Sequence, residues 1–413
     1  MATNAAPVKG TKDYLPKEAA ARYYIENIIL STYRQNGFQR IETPMIESIE
    51  RLDKSNGGEN LSLIFKILKR GEKLNLNSTD LKENDLVDSG LRYDLTLPLA
   101  RYFANNSNWL RKPFKVVQCG KVFRAERPQK GRLREFCQCD IDIIGDESID
   151  AEIELISVTS KALMNLGFFD FVVRINDRRI LKDIVCNAGF NEEDIHSVYV
   201  TVDKLEKIGI HGVQDELIAK GFAAAPIEQL LSAISDHTAQ FGSGLSSNQK
   251  ASEDLLQVIE STNRIAASRY KVVFDKTLVR GMGYYTGMVF EIITPLFGAA
   301  IAGGGRYDNM IGSFTNEQIP AVGLSIGFER IMNIILESGN LKPEQVKSVL
   351  LIYGETSDIV TAIEKANELK QQGYNVTIIK KAKNVGKQLS RLKKDEFDCL
   401  CDTDKTGELV AWR

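Results

Sequence analysis

"KVFRAERPQKGRLREFCQCDID", Lys121 to Asp142, reads as a strand, a charged turn and a second strand. The two-residue period of a strand puts Arg124 and Glu126 on one face of the first arm. It likewise puts Phe136, Gln138, Asp140 and Asp142 on one face of the second. An arginine offers a planar fork to phosphate oxygens, and a phenylalanine offers a face to a purine ring. A carboxylate or backbone group nearby can accept from an exocyclic amine. Standing alone, the segment is equally a solvated charged hairpin, so its surroundings decide.

Upstream, residues 17–36 form an amphipathic helix with Ile25, Ile28, Ile29 and Tyr33 on one face and Gly37 at its cap. "FQRIETP" (38–44) alternates as a strand and stops at Pro44. From about 60 to 145 the pattern is mostly β. "LSLIFKILKRGEKLNLN" predicts a hairpin around Arg70-Gly71, and "LRYDLTLP" (91–98), "FKVVQCGKVFRAE" and "REFCQCDIDIIG" predict strands. "DAEIELISVTSKALMNLG" is helical and ends at Gly167. A mainly helical module follows, with the Ser/Gly/Asn-rich "GSGLSSNQ", before the β pattern resumes at "KVVFDKTLVRGMGYYTG". Within it, "LVRGMGYYTGMVFEI" (278–292) is a strand interrupted by Gly281, Gly283 and Gly287. Glycines so placed mark a bulge or a close approach of a ligand or another backbone. "GGGRYDNMIG" (303–312) reads as a tight hairpin leading into a helix. "AVGLSIGFERIMNIIL" (321–336) gives small residues and then a helix with Arg330 near its anion-favouring start. Beyond "LKPEQ" comes a βαβα-like unit whose first helix turns Ile359, Ile363, Ala366 and Leu369 inward.

Composition narrows the function classes. A net charge of −2 gives no global attraction to nucleic acid, so any such site is a local patch. Seven of the fifteen residues from Lys380 to Lys394 are Lys or Arg, which supplies one. There is neither a P-loop nor a dinucleotide fingerprint in "GGGRYD". The cysteine pairs Cys137/Cys139 and Cys399/Cys401 are C-x-C, off the spacing of structural zinc, and the histidines lie far from both in sequence. They read as buried reduced thiols, and no metal ligand is assigned. "MATNAAPVKG" lacks the apolar core of a signal peptide, and no run of ~18 apolar residues occurs, so a cytoplasmic protein without a membrane segment is expected.

Taken together the segments stop being independent. "FRAERPQKGRLREF" resembles motif 2 of class II aminoacyl-tRNA synthetases, "GLSIGFERI" resembles their motif 3, and "GFQRIETPMIE" their dimer-forming motif 1. "LVRGMGYYTGMVFE" and "GGGRYD" resemble signatures of histidyl-tRNA synthetases, and "KGTKDYLP" and "LRYDLTLPLARY" fit the same family. The match runs in order from about residue 9 to 335.

The resemblance implies an α+β fold: a class II synthetase-like antiparallel sheet core flanked by helices, with a helical insertion and a C-terminal α/β domain. Its expected divisions are a core first part at 1–169, the insertion at 170–268, a core second part at 269–340 and an anticodon-binding-like domain at 346–413. That last domain looks short, ending at "GELVAWR". The implied activity joins L-histidine to tRNA(His) through histidyl-adenylate in a homodimer, with ATP as substrate and Mg²⁺ accompanying it. The resemblance makes Arg124, Arg280 and Arg330 catalytic. Arg124, Glu126, Arg132, Phe136, Arg280 and Arg330 would bind ATP, with Arg134 of the same turn also reaching outer phosphates or the tRNA end. Asp94, Leu95, Thr96, Gln138, Asp142, Tyr284 and Tyr285 would bind histidine, and Lys387, Arg391 and Lys394 would meet tRNA. Gly283 stands where the family motif carries aspartate. A site that bonds both ring nitrogens rejects analogues without editing. The alternative is the synthetase-like regulatory subunit of ATP phosphoribosyltransferase, which shares the core but need not activate histidine.

Overall fold

The computed structural model describes residues 4–53, 62–74, 81–127, 133–235, 248–280, 283–315, 317–338, 347–354, 356–392 and 397–412. Two compact units divide the chain, Met1–Gly339 and Asn340–Arg413. In chain order the strands of the first are β1 (Gln39–Arg40), β2 (Ile46–Ser48), β3 (Lys66–Leu68), β4 (Val87–Leu91), β5 (Phe114–Phe123) and β6 (Glu135–Ile144), followed by β7 (Val172–Asp177), β8 (Lys271–Phe274), β9 (Met288–Ile293), β10 (Ala302–Arg306) and β11 (Ala321–Gly327). Those of the second are β12 (Ser348–Tyr353), β13 (Asn375–Lys380), β14 (Cys399–Asp402) and β15 (Leu409–Ala411).

Eight strands of the first unit make one sheet in the order β1-β5-β6-β11-β10-β9-β7-β8. Neighbours are antiparallel except β1 with β5 and β7 with β8. This is an α+β fold with a mainly antiparallel core. Helix Pro16–Gln35 buries Ala21, Ile25, Ile29 and Tyr33 at helical spacing and packs on β5. Its chain reverses at Gly37, whose φ of +87° lies where a side chain would be strained. Helix Asp150–Asn165 packs on β6 and β11. It is fixed to β10 by a buried fork in which Arg306 Nε and Nη2 each donate to Glu152 at 2.6 Å. Removing one partner of such a pair strands a buried charge, a loss of about 3–5 kcal/mol.

Several sequence expectations change. β3 pairs with β4, and Gly71–Lys73 is a short 3-10 turn, so among the described residues no hairpin forms around Arg70-Gly71; the rest of its second arm lies outside them. "LRYDLTLP" is the end of β4 and the start of helix Thr96–Asn106, which buries Leu97, Ala100 and Phe103. The apparent alternation was half of that helical face, and Pro98 is tolerated in a first turn, where its missing N–H leaves no bond unmade. The described residues from 275 to 287 form no strand; β9 begins only at Met288 and lies inside the sheet between β10 and β7. "GGGR" is β10 itself, leading into helix Asp308–Thr315, and not a hairpin. β7, within 170–268, belongs to the main sheet, and the run of helices starts at Arg178.

In the second unit β12 lies parallel to β13 and β14, and β15 closes the edge antiparallel to β14. Helix Ile359–Gln371 buries Ala362, Ala366 and Leu369 against Val349, Leu351 and Cys401. Ile359 and Ile363, expected inward, are each 45% exposed, because the two alanines define the packed stripe. Among the described residues no helix is long and apolar enough to cross a membrane.

Candidate active site

Strand register assembles the site. Across the sheet, Asp140 of β6 faces Ser325 of β11, which faces Gly303 of β10, which faces Glu291 of β9, which faces Arg174 of β7. Residues in one such row share a face. The neighbouring rows bring Gln138 to Gly327 and Asp142 to Gly323. Glycine is required at two of these positions for room: a Cβ on Gly303 would run into the Arg280 guanidinium, and one on Gly323 into the Asp142 carboxylate.

Above this floor a cleft of about 1090 Å³ is lined by Arg124, Glu126, Phe136, Gln138, Arg280 and Arg330 together with Ser325 and Glu291. The Arg124 guanidinium lies 5.2 Å from the Phe136 ring centre, and its Nε donates to the Tyr93 carbonyl at 3.1 Å. Arg280 Nη1 donates to Glu291 at 3.3 Å, while Glu291 also pairs with Arg174 at 2.5 Å. Arg280 has a φ of +53°, sparsely populated by non-glycine residues. Its carbonyl is held by Arg178 Nη2 at 2.5 Å. Arg330 donates to the Ala300 carbonyl.

Next to the cleft lies a buried acidic group. Asp94, Asp140 and Asp142 are 3–5% exposed. Burial pushes Asp94 up to about 6, with Arg124 and Arg92 partly opposing it. Burial likewise pushes Asp142 up to about 7, against a hydrogen bond from Tyr307 and with Asp94 adding to the rise. Asp140 is raised well above the usual carboxylate range by burial and by Asp142. Tyr307 donates to Asp142 Oδ1 at 2.7 Å, and the Tyr284 ring sits edge-on to Tyr307 and 4.7 Å from Tyr285. Among the described residues three buried acceptors, Asp94 Oδ2, Gln138 Oε1 and Asp140 Oδ1, have no hydrogen-bond partner. Each such atom costs about 1–3 kcal/mol unless a ligand satisfies it. The chemistry they await is donor-rich and cationic.

Of the other sequence candidates, Leu95 is buried and its carbonyl accepts from Gln118 Nε2 at 3.2 Å, while Thr96 opens the helix that follows Asp94. Arg134 donates to the carbonyls of Glu126 and Lys9, closing the hairpin instead of facing the cleft. Arg132 and Lys394 lie outside the described residues. Lys387 and Arg391 are exposed on helix Val385–Arg391 of the second unit. Lys381 leaves the basic patch, because it is buried between Asp402 and Asp404 at 2.8 Å from each.

The family model for histidyl-tRNA synthetase matches residues 10–331. The chain belongs to the histidyl-tRNA synthetase family. A protein of Leifsonia xyli subsp. xyli named histidine–tRNA ligase is 38% identical over 100% of this chain and 98% of its own. The crystal structure of histidyl-tRNA synthetase from Nostoc sp. PCC 7120 superposes with a TM-score of 0.77 at 26% identity, covering 99% of this chain and 97% of that one. A structure from Bacillus halodurans C, described as an ATP phosphoribosyltransferase regulatory subunit/histidyl-tRNA synthetase, gives a TM-score of 0.76 at 22% identity, covering 97% and 98%. That likeness concerns the fold alone.

Within this synthetase fold, four residues escaped the sequence reading of roles. Tyr307 sits in "GGGRYD" beside the glycines that drew attention, and Ser325, which accepts from Gln138 Nε2 at 3.1 Å, sits in "GLSIGFERI". Glu291 closes the stretch that Arg280 opens, so opposite charge eleven residues apart was the available signal. Glu329 takes a fork from Arg22 at 2.6 and 3.0 Å, the Tyr14 hydroxyl at 3.2 Å and the Cys137 N–H at 3.1 Å. No local pattern announces it, because its partners come from three distant segments.

Proposed function

We propose that this chain is a histidine–tRNA ligase that activates L-histidine with ATP and transfers it to tRNA(His). The observation that carries the reading is the juxtaposition of three unpartnered buried acceptors with an arginine-lined cleft on one glycine floor. Asp94, with Leu95 and Thr96 beside it, and Gln138 receive the α-ammonium group. Asp142, steadied by Tyr307, addresses one imidazole nitrogen, with Tyr284 and Tyr285 bordering the ring. The histidine carboxylate oxygen then attacks the α-phosphorus of ATP, the bond to the β-phosphate bridging oxygen breaks, and pyrophosphate leaves. Arg280, Arg124 and Arg330 stabilise the charge that develops, with Phe136 under adenine and Glu126 at its amino edge. In the second step a terminal ribose hydroxyl of tRNA attacks the acyl carbon and AMP departs. ATP would bring Mg²⁺ on its phosphates. Of the acidic residues lining the cleft, Glu291 and Glu329 are held by arginines.

The regulatory-subunit alternative draws support from likeness of fold, whereas relatives at 38% and 35% identity carry the ligase name. Histidine-dependent ATP–pyrophosphate exchange followed by tRNA charging tests the proposal; a purified, folded chain with neither activity would overturn it. We further infer a cytoplasmic homodimer built through the Pro44 segment. Light scattering on the same sample should give roughly twice the 46.1 kDa chain mass, and an active monomer would refute the dimer.

For the second unit, Lys387 and Arg391 are proposed, with Lys394, to meet the tRNA backbone. Replacing Lys387 and Arg391 by alanine should leave pyrophosphate exchange intact and raise the KM for tRNA. Each lost phosphate contact should reduce the salt slope of tRNA binding by about 0.7–0.9. Unchanged charging at every salt concentration would make them solvated surface only.

A further inference from the structure

On the face of β5 and β6 turned away from the cleft, three cysteines meet. The register sets Cys119 opposite Cys139, with Cys137 two residues along on the same face. Their sulphur atoms all lie within 4.8 Å of one another. Cys119 Sγ is 2.7 Å from Cys139 Sγ and 3.4 Å from Cys137 Sγ. All three are reduced, with Cys137 and Cys139 buried and Cys119 half-buried. Helix Pro16–Gln35 brings charge near this thiol cluster, where Glu26 and Arg22 act on it electrostatically. The C-x-C spacing of Cys137 and Cys139 hid this group, because the third sulphur comes from the neighbouring strand.

We propose that Cys119, Cys137 and Cys139 bind a single zinc ion, with a solvent oxygen in the fourth place and Glu26 as an outer partner. Tetrahedral zinc with Zn–S near 2.3 Å sets sulphur separations of about 3.8 Å, so the closest pair must spread by about 1 Å, within the reach of side-chain torsions. Each thiol gives up its proton to solvent on binding. Three thiolates exceed the charge of the ion, and Arg22 on helix Pro16–Gln35 offsets part of the excess. The ion ties together the two strands whose other face carries Gln138 and Asp140. It binds the folded chain alone and therefore stabilises it.

The full-length chain, reduced and stripped of metal by chelator, is titrated with Co²⁺. The expected result is sulphur-to-cobalt charge-transfer absorption with the visible bands of a tetrahedral ion, saturating at one ion per chain and displaced by Zn²⁺. Zn²⁺ should also raise Tm and shield three of the six cysteines from alkylation, counted by mass spectrometry of the wild-type chain. Cys119→Ser/Cys139→Ser should lose the absorption, and Cys399→Ser/Cys401→Ser should keep it. Glu26→Gln should keep the charge-transfer band and bind at least ~10-fold more weakly, by the scale of outer-partner losses. Absent absorption with no thiol protection in the wild type overturns the proposal, as does absorption that survives in Cys119→Ser/Cys139→Ser. A metal-free chain carrying a Cys119–Cys139 disulfide after purification under reducing conditions overturns it equally.

Discussion

Arg280→Ala should lower histidine-dependent ATP–pyrophosphate exchange by at least ~10²-fold while leaving the affinity for histidine nearly unchanged. The guanidinium occupies the space over Gly303, between Ser325 and Glu291, at the centre of the arginine-lined cleft. In the proposed reaction a fork so placed would meet charge that grows as the α-phosphorus is attacked. Its loss therefore falls on the transition state more than on the ground state. Removing one preorganised donor to a developing oxyanion typically costs about 2.7–4 kcal/mol, which sets the scale. Collapse of the fold is not the expected cause, since Glu291 keeps its 2.5 Å pair with Arg174 when Arg280 is removed. Tm measured alongside checks this. Arg280→Lys separates charge from geometry: it keeps the cation but not the planar fork, and should recover only part of the rate. Exchange at the wild-type rate in Arg280→Ala would reduce the residue to a structural support for Glu291.

How much of this was legible in the sequence depends on whether a signal was local. The strands β5 and β6 were legible, because β-favouring residues fill both ten-residue arms. The helix at Pro16–Gln35 and its glycine stop were equally plain. "LRYDLTLP" misled, because Leu91, Tyr93, Leu95 and Leu97 alternate as a strand does, while the helix that begins at Thr96 is stabilised by residues beyond the window. "GGGRYD" misled for a different reason. Glycines in a fully buried strand look like a turn until the groups that need their space, Arg280 over Gly303 and Tyr285 over Gly305, are seen to come from other segments. Single residues that line the cleft, such as Phe136 and Gln138, followed from strand period. Ser325, the partner of Gln138, required the register of β6 on β11, and Tyr307, the partner of Asp142, comes from beyond β10; no single sequence states either.

Asp94→Asn should abolish most activity and yet stabilise the free protein, and the pH dependence of the gain identifies its cause. The Asp94 carboxyl is buried, Oδ2 has no hydrogen-bond partner, and Oδ1 accepts from the Leu97 N–H at 3.3 Å, a bond that asparagine retains. Its folded pKa of about 6 lies above the ordinary value of 3.8, so between those values the folded state holds a proton that the unfolded state has released. Stability from this group is therefore fully present below about pH 4 and is lost as pH rises through about 6, a loss on the order of 3 kcal/mol at about pH 8. Asparagine carries no such dependence. The variant should melt above wild type at about pH 8, and the gap should narrow as pH falls towards about 4. Function should move the other way. The ammonium group of histidine would lose a charged acceptor in a buried site, an interaction whose removal costs about 2–5 kcal/mol, or roughly 30- to 5000-fold in kcat/KM for histidine. A higher Tm together with lost activity would place the residue in the histidine pocket and exclude misfolding as the explanation. Wild-type kcat/KM for histidine in Asp94→Asn would remove Asp94 from the site, and a Tm difference independent of pH would show that the buried charge is not what destabilises the free protein.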